Sequence, residues 1–149
     1  MKCISLYQPG ASLVVLGKKR LDPRSWFTLY RGPLLIHAAK RFEKPERALW
    51  GKEPFFSALV SSGIFKASDL PLGAIIGKVN LVSCLLIPVP PFRYEIGRVT
   101  IPPDEPELSF GDYTPGRYAW VFDDALWFNP IPHKGKQGLF DVPDSVLQR

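Results

Sequence analysis

Directly after Gly17 the chain places Lys19, Asp22, Arg24 and Trp26 in close succession. These types supply a cation for phosphate or developing negative charge, a carboxylate able to take a proton, and a ring on which an unpaired base stacks. Further along stand His37 and Lys40, then Tyr113 and Arg117 around a proline- and glycine-bearing turn, then Lys134 in a basic loop at residues 133–138. Basic side chains interleaved with aromatics suit nucleic acid, because cations meet phosphates while rings offer stacking surfaces to unpaired bases. The expected ligand-binding set is therefore Gln8, Lys19, Arg24, Trp26, His37, Lys40, Tyr113, Arg117 and Lys134.

Each of these residues also has an ordinary structural use. A cationic run at residues 18–20 complements a helix carboxyl end, and Arg24 can simply pair with Asp22. Trp26, Trp120 and Trp127 are bulky enough to be core, and a histidine in an apolar strand is commonly satisfied by a neighbour, although it can titrate near neutrality. Lys134 and Lys136 sit beside glycines, as in a mobile loop or a phosphate contact, but the string lacks the serine or threonine of a P-loop. His37 and His133 fall outside any metal-ligand motif, and Cys3 and Cys84 read as buried free thiols. No cofactor or metal is expected.

The positioning elements follow from periodicity and breakers. Residues 2–7 alternate as a first strand. Pro9 opens a helix that Gly17 ends, with Ala11, Val14, Val15 and Leu16 as its buried stripe. Residues 21–26 are extended around Pro23, and the apolar run at 33–39 is a central strand containing His37. Residues 53–62 form the second main helix, while Pro45 marks either a break or a first helical turn in residues 40–50. A long strand over 74–88 bends at Gly77, and residues 88–106, rich in proline, form an irregular excursion. Asp123-Asp124 divides two strands within 117–128, and residues 139–142 close as a final strand. Strands, two main helices and no βαβ alternation predict an α+β domain with a mixed, barrel-like sheet.

The 149 residues suffice for a single domain, 1–149, with one sizeable core. A formal charge of +5 favours an anionic partner. No apolar run approaches a membrane span and the amino terminus lacks a signal-peptide pattern, so a cytosolic protein without membrane partners is expected.

In order along the chain, QPGASLVVLGKKRLDPRSW, YRGPLLIHAAK, LPLGAIIGKVNLVSC and FGDYTPGRYAWVF with HKGKQGLF resemble the ASCH domain family, which has a PUA-like mixed β-barrel fold. The family's QPWA is here Gln8-Pro9-Gly10-Ala11. Its GxKxxExR signature is matched by Gly17, Lys19, Asp22 and Arg24, with aspartate in place of glutamate. The resemblance implies RNA or modified-nucleoside binding in a cleft between the helix exit and the barrel. Some relatives are amidohydrolases of acetylated cytidine that use a lysine, a threonine and a glutamate, and others are proposed ribonucleases. Lys19 matches that lysine, while Asp22 stands where the threonine would be. Carried over in this way, Lys19 and Asp22 are the candidate catalytic residues, the aspartate as general base and the lysine stabilising developing negative charge, provided burial tunes both groups. Three functions are consistent with the residues: an RNA-binding domain, a small hydrolase acting on a modified nucleoside or RNA, and a protein-interaction adaptor contacting partners through its proline-rich segment.

Overall fold

The computed structural model describes residues 1–148. Among them the elements run β1 (Lys2–Leu6), α1 (Gly10–Val15), β2 (Leu21–Arg24), β3 (Gly32–Ala38), α2 (Lys44–Trp50), α3 (Phe55–Ser61), β4 (Ala74–Leu86), β5 (Tyr94–Ile96), β6 (Val99–Ile101), β7 (Tyr118–Pro132) and β8 (Phe140–Asp141). Six strands share one mixed sheet in the order β2-β7-β4-β3-β1-β8. Only β1 and β3 run parallel; the other pairs in this sheet are antiparallel. The domain is thus α+β, as expected. Its hydrogen-bonded ladder ends at β2 and β8, so the expected barrel is not closed.

β3 is central because both its faces are apolar. Leu34, Ile36 and Ala38 join Ile4, Leu6 and Trp120 in one core cluster, while Leu35 joins Cys3, Ile75 and Phe140 in another. Such an uninterrupted apolar strand needs a covered sheet, and α1 supplies part of that cover.

With six residues, α1 is too short to be stable by itself, so tertiary packing must hold it. Ala11, Val14 and Val15 face the sheet, while Leu13 turns to a separate cluster with Phe55, Leu59, Leu70 and Phe110. Each large side chain buried this way contributes about 1.5–3 kcal/mol. The cluster around Leu13 also draws in Leu49 and Trp50 of α2. α1 and α3 are the two main helices marked by the sequence; in α2, Pro45 occupies the first turn and does not break it.

Besides the open sheet, two features depart from the sequence reading. Residues 118–132 form one strand of 15 residues, not two. Asp124 adopts φ 52° and the β4–β7 register shifts between Lys78 and Asn80, so Asp123-Asp124 makes a bulge that the ladder absorbs. Within the proline-rich excursion, β5 and β6 pair as a small antiparallel hairpin, and a 3₁₀ turn at Glu107–Phe110 returns the chain to the body.

Candidate functional site

The exit from α1 sets the site's geometry. Gly17 has φ +74°, a conformation that L side chains rarely adopt. Its N–H donates to the Val14 carbonyl at 3.1 Å, and that of Lys18 to the Leu13 carbonyl at 2.9 Å, the double bond of a Schellman turn. This turn leaves Lys18 exposed and sends Lys19 back inward, where it is 4% exposed. The Lys19 ammonium donates to the Leu21 carbonyl and stands 3.8 Å from Asp22 Oδ1. Asp22 Oδ2 accepts from Arg24 Nη1 at 3.1 Å. The Arg24 guanidinium lies 5.4 Å from the Trp26 ring and 5.7 Å from Trp120. Those two indoles meet edge to face at 4.7 Å, and Trp120 Nε1 donates to the Trp26 carbonyl.

Lys19, Asp22, Arg24 and Trp26 form one wall of a cleft of about 1400 Å³, with Trp120 buried behind them. Gln8, Lys19, Asp22, Arg24, Trp26, His37, Lys40, Arg117 and Lys134 all line it. Gln8 shapes the wall: it is 1% exposed, accepts from the Ser12 N–H at 2.9 Å and donates to the Ser12 hydroxyl and the Pro71 carbonyl. His37 is held between Ser5 Oγ, 2.9 Å from Nδ1, and the His133 carbonyl, 2.7 Å from Nε2. With Nε2–H donating to that carbonyl, Nδ1 accepts from the serine, a pattern that suits the neutral ring. Burial pulls the His37 imidazole below its ordinary value, against the His133 carbonyl bond. A Cβ at Gly135 would lie 2.7 Å from the His37 ring, so the basic loop seats directly on the histidine because position 135 is glycine.

Tyr113 is the nominated residue that does not line the cleft. It is buried with Leu21, Ile87, Ile101 and Val121, and its hydroxyl donates to Glu107 Oε2 at 3.4 Å. Burial, then the charges of Glu107 and Asp22, push its phenol well above the usual range. Arg117 bridges walls instead, donating to the carbonyls of Asp112 at 3.0 Å and Pro23 at 3.1 Å.

Two acidic residues escaped the sequence reading. Glu107 Oε1 accepts the Arg20 N–H at 2.6 Å, tying the proline-rich segment to the start of β2. Burial raises its carboxyl above the usual range, opposed first by the charge of Lys19. Glu46, 5% exposed, accepts from Arg41 Nε at 2.5 Å. Burial, the largest single influence, would raise Glu46, but the bond to Arg41, the backbone N–H groups of Glu46 and Glu43 and the charge of Arg41 together outweigh it and hold the carboxyl below the usual range. A lone glutamate beside prolines and another in a charged helix carry no periodic or motif signal. Tyr7, also in the cleft, carried one: an aromatic directly before the Gln8-Pro9 turn.

The lining holds seven lysine and arginine side chains against three carboxylates, so the cleft is electropositive. Arg24, Arg41 and Arg117 each have a carboxylate within 4 Å. Among the described residues Lys40, Lys134 and Lys136 form no ion pair and carry three of the four excess charges, the fourth arising because Lys19 and Arg24 share Asp22. No group of three histidine, cysteine or carboxylate side chains able to hold a metal occurs among the described residues, nor does a helix long and apolar enough to cross a membrane. Cys3 and Cys84 are buried free thiols, and burial pushes the Cys3 thiol up to about 12.

Residues 4–103 match the ASCH domain. The chain belongs to the ASCH domain family. The matched stretch carries the α1 exit, His37 and Lys40, whereas Arg117 and the basic loop lie beyond it. Activating signal cointegrator 1 of Homo sapiens and of Mus musculus are each 36% identical to this ASCH chain over 83 residues, which is 56% of this chain and 14% of theirs. The relationship is therefore to one portion of a much longer protein. Among solved structures, ASCH from Zymomonas mobilis superposes with a TM-score of 0.57 at 18% identity, covering 99% of this chain and 90% of that one. A single-substitution variant of it gives 0.53 at 17%, covering 99% and 93%. At these identities the likeness is one of fold, and it extends the ASCH, PUA-like architecture over almost the whole chain.

Proposed function

We propose that this ASCH domain binds RNA or a nucleotide in the cleft between the α1 exit and the sheet. The observation that carries this is the cleft's composition: three lysines without carboxylate partners face the same space as Trp26 and Tyr7. Lysine ammonium groups free of partners release counterions on meeting phosphate, and the rings offer stacking surface. Binding is favoured over hydrolysis by the state of Asp22. Both its oxygens are engaged, one by Lys19 and one by Arg24, so the carboxylate nominated as general base is occupied as a structural anchor.

The test is the salt dependence of single-stranded RNA binding, read by fluorescence anisotropy. Replacing Lys134 and Lys136 together by alanine should weaken binding and flatten the log–log slope by about 1.4, at about 0.7 per phosphate contact on a single strand. Lys18→Ala, exposed and outside the cleft, should leave the slope unchanged. An unaltered slope in the loop variant would move the binding surface elsewhere.

A further inference from the structure

The cleft contains one device twice: a carboxylate that fixes an arginine whose guanidinium lies against an aromatic ring. In the first, Asp22 holds Arg24 against Trp26. In the second, Glu46 holds Arg41 at 2.5 Å, and the Arg41 guanidinium lies 5.7 Å from the Tyr7 ring. All six side chains line the same cleft. Trp26 follows β2 and Tyr7 follows β1, strands with three others between them in the sheet order, so each device is built from its own part of the chain.

Neither ring is fully used by the core. Trp26 is half-buried, and Tyr7 is 59% exposed. Beside Tyr7, a Cβ placed at Gly10 would meet no atom within 4 Å, so the space is open. Rings held in place before a ligand arrives lose little entropy on stacking, which is what a buried Glu46 anchoring Arg41 achieves. The volume points the same way. About 1400 Å³ exceeds the roughly 300–1,000 Å³ of pockets that enclose one drug-sized molecule.

We propose that the cleft takes a single strand through at least two of its nucleotides, one base stacking at Trp26 and another at Tyr7. This rests on the nucleic-acid reading above and narrows it, since a free nucleoside would fill only one of the two positions. Lys40, Lys134 and Lys136 are then the groups that meet the connecting phosphates.

The experiment compares uridine monophosphate, the uridine dinucleotide and a uridine octamer, each titrated calorimetrically into the full chain. Wild type should bind the dinucleotide at least about tenfold more tightly than the monophosphate, the increment expected from one added base–aromatic stack. Tyr7→Ala should remove that increment, so that dinucleotide and monophosphate bind with similar affinity, whereas Tyr7→Phe should retain it. Because Tyr7 is largely exposed, thermal melting should show both variants folded as wild type. Equal affinity of monophosphate and octamer, or an equal loss for every ligand in Tyr7→Ala, overturns the two-base proposal while leaving nucleotide binding intact. Absence of binding by all three ligands overturns the underlying reading and this proposal with it.

Discussion

A buried ammonium group is costly unless its donors are met, and Lys19 meets that cost with the Leu21 carbonyl and the Asp22 carboxylate. Asp22 in turn orders Arg24, and Glu107 gathers the Arg20 N–H behind them. The signs of the titrations at this scale differ. His37 has a lowered value, so the folded state binds fewer protons than the unfolded chain. Its contribution is present above the unfolded value of about 6.5 and is lost as the pH falls below it. Glu107 has a raised value, so its contribution is present when the carboxyl is protonated and is lost as the pH rises through the folded value. His37→Gln should therefore flatten the fall in stability on acidification below pH about 6.5, measured by urea unfolding at a series of pH values. A variant that keeps the wild-type acid slope would show that this imidazole does not titrate with folding. The Lys19, Asp22, Arg24 and Trp26 series was legible because Gly17 announces a helix end and the residues after it are chemically distinctive. Glu107 was not, since it acts through a contact spanning 87 residues of chain.

Among the elements, α1 and β4 decide where the cleft opens. β4 bends at Gly77, where its register against both β3 and β7 shifts. Here the Leu126 carbonyl would lie 2.5 Å from a Cβ and the Val15 side chain 2.6 Å from it, so glycine lets α1 sit directly on the sheet. Both obstacles are constrained, one as backbone and the other as a buried β-branched side chain. Gly77→Ala should destabilise the domain by about 1–3 kcal/mol, the usual range for overpacking. Chemical denaturation checks this, and wild-type stability would mean that α1 has room to shift. The bend was readable from one glycine inside an apolar run, and α1 from its Pro9 and Gly17 boundaries. The single long β7 was not, because Asp123-Asp124 looks like a turn in isolation. Only pairing with β4 before and after it keeps the chain extended through it.

At the scale of the whole molecule, the formal +5 becomes informative only once it is located. Three arginines of the cleft are paired within it, and the unpaired cations gather on Lys40 and the loop seated on His37. The sequence order of the strands identified the fold class, whereas the failure of the sheet to close, and the joining of residues from both ends of the chain around one recess, depend on long-range pairing that no local pattern encodes. The central claim is that this recess is where single-stranded RNA binds. Its most direct test uses the four tryptophans, whose indole N–H signals report separate places: Trp26 in the cleft, Trp120 buried behind it, Trp50 on α2, and Trp127, 59% exposed on β7 and outside the cleft. Titrating a uridine octamer into isotope-labelled protein should shift the Trp26 indole signal in a saturable manner and leave Trp127 in place. A saturating shift at Trp127 with Trp26 unmoved would contradict the account.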